Sequence, residues 1–226
     1  VLEPVSVMAV PKVMKMDTAP EKRVELHLHT TMSSMDALIA PGTAIKTAMK
    51  WGHPAVAITD HGNMFGAVEF YKACLEEGVK PIIGCEVYVS PASRFDRQKT
   101  AYGSYHHLVL LCENNQGYRN LIKLVSCGFT EGFYNKPRVD RELLEKYSEG
   151  IIALSACLAG EIPKLILNGE YSKAKETSLW YKEVFGENNY FLEIQDHGIR
   201  EQQIVNPQII RLSKETGIPL VATNDV

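Results

Sequence analysis

Seven short apolar runs, set between mostly amphipathic stretches, constrain this chain more than any other feature. They are VELHLHT (24–30), AVAITD (55–60), PIIGCEVYVS (81–90), HLVLLCE (107–113), GIIALSA (150–156), YFLEIQ (190–195) and PLVATND (219–225). Each has strand length. The helix candidates between most of them are GTAIKTAMKWG, GAVEFYKACLEEG, GYRNLIKLVS, DRELLEKYSEG, KAKETSLWYKEVFG and EQQIVNPQIIRLSKETG. Several end in Gly, a common helix stop. This alternation predicts an α/β fold, a parallel sheet covered by helices. A closed barrel and an open doubly wound sheet both fit. No G-x-G-x-x-G follows the first run, which weighs against the open nucleotide-binding sheet. Residues 1–23 carry prolines at 4, 11 and 20 and read as a leader or linker, with one domain over 24–226.

The first run raises a chemical question. In a regular strand His27 and His29 would share one face and Leu26 and Leu28 the other. Two imidazoles on one face are only a weak sign of a metal site. The ends of the other runs strengthen it. Asp36 follows the first, Asp60 and His61 the second. Glu86 lies in the third, Cys157 follows the fifth, Asp196 and His197 the sixth, and Asp225 closes the seventh. In an α/β barrel, functional side chains gather at the C-terminal strand ends. The doublet His106-His107 opens the fourth run instead of closing it, and only one of two adjacent strand residues can enter a site.

Each residue type has a reason to be there. Neutral imidazole suits zinc, iron and manganese, carboxylates can bridge two ions, and a thiolate favours zinc. So many carboxylates and imidazoles together would be costly without cations. Taken singly, Cys157 reads as a small buried apolar residue, Glu86 as half of an ion pair, Asp196 as a helix cap and His53 as a loop residue. No G-x-S-x-G elbow accompanies Ser155, so a serine triad is disfavoured.

Composition removes other classes. A net charge of −3 gives no bulk attraction to nucleic acid or membrane. The clearest basic run, Arg94, Arg97 and Lys99, lies in the irregular stretch 90–105, by default a solvated loop and at its sharpest a phosphate contact. Five cysteines without a C-x-x-C make neither a disulfide framework nor a zinc finger and suit a reducing cytoplasm. No apolar run approaches the ~18 residues of a membrane span.

HLHTTMSSMD, AITDHGNMFGAVEFY, PIIGCEVYVSPASRFD, YHHLVLL, EGFYNKPRVD, ALSACLAGE, LEIQDHG and LVATND together resemble the polymerase-and-histidinol-phosphatase (PHP) domain, in the version found in bacterial DNA polymerase III alpha chains. The likeness spans about residues 21 to 226. It implies a distorted seven-stranded TIM-like barrel, a (β/α)7 fold. It implies two or three divalent ions (Zn, Mn or Fe, with Mg admissible) on His27, His29, Asp36, His61, Glu86, His107, Cys157 and Asp225. Asp36, His61 and Asp60 are then the candidates for catalytic contact. His197, Asp196, Arg94 and Arg97 would face substrate or support the ligands. The family pattern places a further histidine two positions after Asp225, so the resemblance leads one to expect a barrel truncated at its C-terminal end and incomplete ion loading. The implied activity is metal-dependent phosphodiester hydrolysis at a DNA 3′ end, a 3′–5′ exonuclease. The implied partners are the rest of the polymerase chain and other replisome subunits in the bacterial cytoplasm. A non-catalytic support module for the polymerase is the alternative, and a free small-molecule phosphatase a minor one.

Overall fold

The computed structural model describes residues 16–98 and 103–226. Seven strands and seven helices follow in chain order: α1 (Pro41–Trp51), β1 (Ala55–Ile58), α2 (Ala67–Glu77), β2 (Lys80–Val89), β3 (His106–Cys112), α3 (Asn115–Thr130), β4 (Arg138–Val139), α4 (Arg141–Lys146), β5 (Ile151–Leu154), α5 (Glu161–Leu167), α6 (Tyr171–Phe185), β6 (Tyr190–Ile194), α7 (Arg200–Thr216) and β7 (Leu220–Ala222). The sheet runs β1-β2-β3-β5-β6-β7, with β4 attached to β2. It curls so that segment 25–29 lies between its two ends. Ala57 N donates to Glu25 O and Thr59 N to Leu28 O on one side, while Val226 N donates to His27 O and His29 N to Val226 O on the other. The result is a distorted TIM-like barrel.

Two expectations need correcting. The sheet is not all parallel: β3 pairs antiparallel with both β2 and β5. The reason is visible between β2 and β3, where the described residues of 90–105 form no helix. Without a crossover helix the chain returns antiparallel. The first run is also not a regular strand, because its one ladder contact is an isolated bridge, Glu25 to Val56. Its leucines therefore do not share a face. Leu28 belongs to the apolar cluster under α1 and α2, and Leu26 packs against the barrel interior. Residues 1–15 of the expected leader lie outside the described residues.

The core forms by alternation. In β3, Val109 and Leu111 point into the barrel with Ala57, Leu154 and Ala156. Leu108 and Leu110 point outward into the large cluster shared with α3 to α7. At a period of two, His107 is on the inner face and His106 on the outer. In β2 the same rule sends Cys85, Val87 and Val89 outward and leaves Glu86 and Tyr88 facing in.

Candidate metal centre

The reversed direction of β3 resolves the histidine doublet. An antiparallel strand starts where its two flanking strands end, so the first residues of β3 meet the C-terminal ends of β2 and β5. His107 reaches the same mouth as the loops that follow those strands.

At that mouth three overlapping groups of donors form: His27 with His29 and Asp225, His29 with Asp36 and His61, and His61 with Glu86 and His107. Within each, one ligand atom per residue lies within 4.8 Å of the others. Glu86 is the hub. Its Oε1 is 3.3 Å from His27 Nε2 and 3.0 Å from His107 Nδ1, and its Oε2 is 3.2 Å from His29 Nε2 and 2.7 Å from His61 Nδ1. The Nε2 atoms of His27 and His29 are 3.2 Å apart, and each is 3.4 Å from Asp225 Oδ1. His61 Nε2 is 2.8 Å from Asp36 Oδ2. Seven of the eight expected ligands thus share the groups. Cys157 stands at the margin, its Sγ 4.0 Å from His107 Nδ1.

These donors fit cations. Glu86 is 1% exposed. Its Oε2 and the facing His61 Nδ1 are both buried, yet neither has a hydrogen-bond partner among the described residues despite their 2.7 Å separation. A buried carboxylate oxygen and imidazole nitrogen at that distance suit adjacent ligands of one ion.

Burial alone would push the pKa values of His27 and His29 down. For His27 the buried Glu193 and Glu86 carboxylates outweigh it and hold the imidazole well above its ordinary range. For His29 the neighbouring Asp225 and Glu86 carboxylates do so, to about 9. Burial would raise Glu86, but His27 and the other imidazoles hold it well below the usual carboxylate range. Asp225 is lowered too, where burial is outweighed by His29 and His27. Burial, then the charges of Glu86 and Asp225, push the Cys157 thiol up to about 12. The ion-free cluster holds protons where ions would sit.

The remaining expected residues have other places. Asp60 accepts from Thr30 N (2.6 Å), Thr30 Oγ1 (2.8 Å) and Ser33 Oγ (2.7 Å), so it shapes the loop that carries Asp36. His197 donates from Nε2 to Asn224 O at 2.6 Å and accepts at Nδ1 from Gln202, which ties the β6–α7 loop to the residue before Asp225. Asp196 accepts from Gly198 N in a turn, and α7 begins later with Ile199 at its cap, so Asp196 does not cap that helix. Arg94 turns inward. Its guanidinium bonds Glu131, Asp140 and Glu142, and only 8% of the residue is exposed. The solvated-loop reading fails there because three carboxylates, at the end of α3 and the start of α4, await that charge. Arg97 is exposed, and Lys99 lies outside the described residues. Gly62, after His61, has φ +61, and a Cβ there would come within 2.8 Å of Pro137 and 2.9 Å of Tyr88. Only glycine gives that close turn.

Sequence reasoning missed Glu193. It is buried on β6, where it reads as a strand residue, and its Oε1 lies 2.8 Å from His27 Nδ1. It also missed Arg138, 1% exposed, which bonds the backbone carbonyls of Gly132, Ser104, Arg94 and Asp96 and so pins the long loop.

Beside the cluster opens a cleft of about 430 Å³, walled by Asp36, His61, Tyr88, Tyr105, His107 and Lys136 among others. Among the described residues no helix is long and apolar enough to cross a membrane.

The DNA polymerase III subunit alpha of Treponema pallidum (strain Nichols) is 50% identical over 204 residues, covering 90% of this chain and 17% of that protein. That of Deinococcus radiodurans is 45% identical over 218 residues, covering 91% and 16%. The chain therefore spans under a fifth of the length of these relatives. Among solved structures, a two-domain protein from Bacteroides vulgatus containing a predicted PHP-like metal-dependent phosphoesterase aligns with TM-score 0.54 at 13% identity, over 90% of this chain and 51% of that one. An amidohydrolase from Chromobacterium violaceum, with bound sulfate and no metal, aligns with TM-score 0.53 at 14% identity, over 90% and 86%. At such identities these two share the fold alone. The family model described as PHP domain matches residues 25–197, from the bridge at Glu25 to the loop after β6, and the chain belongs to that family.

Proposed function

We propose that this chain is the PHP domain of a bacterial DNA polymerase III alpha chain and that it hydrolyses phosphodiesters at a DNA 3′ end. The observation that carries the reading is Glu86, buried and set against four imidazoles with an orphaned oxygen facing an orphaned nitrogen. His27, His29, Asp36, His61, Glu86, His107 and Asp225 would hold two or three divalent ions, zinc, manganese or iron, with magnesium admissible. Cys157 would join at the margin. Such ions, when bound, supply Lewis acidity at a phosphoryl oxygen and lower the pKa of water.

The chain's own residues do the rest. Asp36 and His61 lie between the buried hub and the open cleft, so a phosphate entering the cleft meets them first. Asp60 holds the Thr30–Ser33 turn and thereby Asp36. No serine or cysteine nucleophile is required, and Ser155 Oγ accepts from Glu193 N, a structural task. The partners in this reading are the DNA 3′ end, the remainder of the polymerase chain and the replisome subunits of the bacterial cytoplasm.

The test joins elemental analysis with release of nucleotides from a 3′-labelled primer. The expected result is bound divalent metal, nucleotide release abolished by a chelator, and its return with Mn²⁺ or Zn²⁺. Full metal loading without release would leave the non-catalytic support module as the better reading.

A further inference from the structure

We infer that Glu193 is a positioning residue that governs one ion of the cluster, the one shared by His27, His29 and Asp225. The inference rests on the reading of the mouth as a metal centre and goes beyond it, because it separates the ions from one another.

Glu193 N donates to Ser155 Oγ at 2.8 Å, which fixes this carboxylate on β6. Its Oε1 collects three donors. His27 Nδ1 lies at 2.8 Å and Gln195 Nε2 at 2.8 Å, and Thr223 Oγ1 also donates to it. Its Oε2 is buried without a partner among the described residues. A carboxylate on Nδ1–H makes Nε2 the nitrogen offered to an ion that displaces the ring's second proton, and Nε2 faces Glu86, His29 and Asp225. A carboxylate behind a metal-ligating imidazole fixes its tautomer and raises its basicity, and its removal typically costs about 10–100-fold in metal affinity.

The second hold is on the other ligand of the same group. Thr223 stands two residues before Asp225. With Thr223 on Glu193 and Asn224 N on Glu25 Oε1 at 3.2 Å, the arm that carries Asp225 is pinned from both sides. No bond of Glu193 reaches Asp36, His61 or His107 among the described residues. Glu193 therefore acts on one group and leaves the two groups built on His61 alone.

The experiment titrates Mn²⁺ and Zn²⁺ into the metal-free chain and into Glu193→Gln, with stoichiometry and each dissociation constant as readout. The expected result is one ion weakened about 10–100-fold and the others at wild-type affinity. A uniform loss across all ions marks a merely structural role and overturns the inference, as does no loss at all. Should the variant fold poorly, ¹⁵N-histidine spectra of the ion-loaded wild-type chain decide. His27 should carry its proton on Nδ1, and a proton on Nε2 overturns the inference. Both readouts are independent of hydrolysis. Correct ion loading with no nucleotide release would count against the exonuclease and leave Glu193 untouched.

Discussion

Two buried polar clusters in this molecule look alike in composition and differ in completion. Around Arg94 and Arg138 donors meet acceptors. Arg94 Nη1 lies 3.1 Å from Asp140 Oδ1, and Asp140 also caps α4 by accepting from Leu143 N. Arg138 spreads its guanidinium over four backbone carbonyls. Around Glu86, four imidazoles crowd one carboxylate, and two facing buried atoms are left without a partner among the described residues. A cluster that satisfies itself holds a loop in place. A cluster that does not is built for something absent from the polypeptide.

The sharpest way to break that contrast is to remove the hub. Glu86→Ala should weaken every ion it faces by more than about 100-fold, because losing a direct ligand costs at least what losing its support costs. Calorimetric titration with Mn²⁺ measures this, and an unchanged affinity would show that Glu86 is only an ion-pair partner.

The complementary change is Arg94→Met. It leaves Asp140 buried and unpaired, which should cost about 3–5 kcal/mol of stability in urea unfolding. Ion affinity should stay as it was. A variant with native stability would show that the two clusters are not distinct in kind.

Protons sharpen the comparison further. In the ion-free cluster His29 titrates at about 9. An ion must displace that proton at neutral pH, so apparent ion affinity should rise about tenfold per pH unit per proton released as pH climbs toward 9. The sign for stability is the reverse. A raised histidine pKa stabilises the ion-free fold below its unfolded value of about 6.5, and that contribution is lost as pH rises through about 9. The ion-free chain should thus soften toward pH 10 while the loaded chain does not. Dissociation constants and melting points across pH 6–10 read both. Affinity that is flat across this range would show that no imidazolium is displaced.

The smallest effect belongs to His106, outside both clusters. Burial, then Lys164, hold its pKa down at about 4, and its Nδ1 has no hydrogen-bond partner among the described residues. A lowered histidine pKa destabilises the fold as pH falls from about 6.5, by at most about 1.4 kcal/mol per pH unit. His106→Leu should flatten that part of the stability profile. A profile identical to wild type would place the acid sensitivity elsewhere, in the carboxylates of the cluster.

Much of this was legible in the residues. Six of the seven apolar runs became β1, β2, β3, β5, β6 and β7, because strand-length apolar segments between helices have little else to do. The strand-end pattern pointed to the mouth of the barrel where these donors lie close together. What stayed hidden depended on partners distant in the chain. Segment 24–30 alternates on paper, yet its edges are shared with Val56 and Val226, and it bends to meet both. The two-residue β4 is too short to leave a pattern. Glu193 is a single acidic residue in an apolar strand, and only the fold shows that His27 lies behind it. Arg94 in a polar loop carries no mark that three carboxylates wait at the end of α3 and the start of α4.

The closure of the barrel also sets a timetable. Glu25 receives Asn224 across 199 positions of chain. At synthesis rates of about 5–20 residues per second, the first histidines wait roughly 10–40 s for the arm that carries Asp225. The groups built on Asp36, His61, Glu86 and His107 need only the first half of the chain. The group of His27, His29 and Asp225 is thus the one whose ligands are all present only when the far end of the chain has been made.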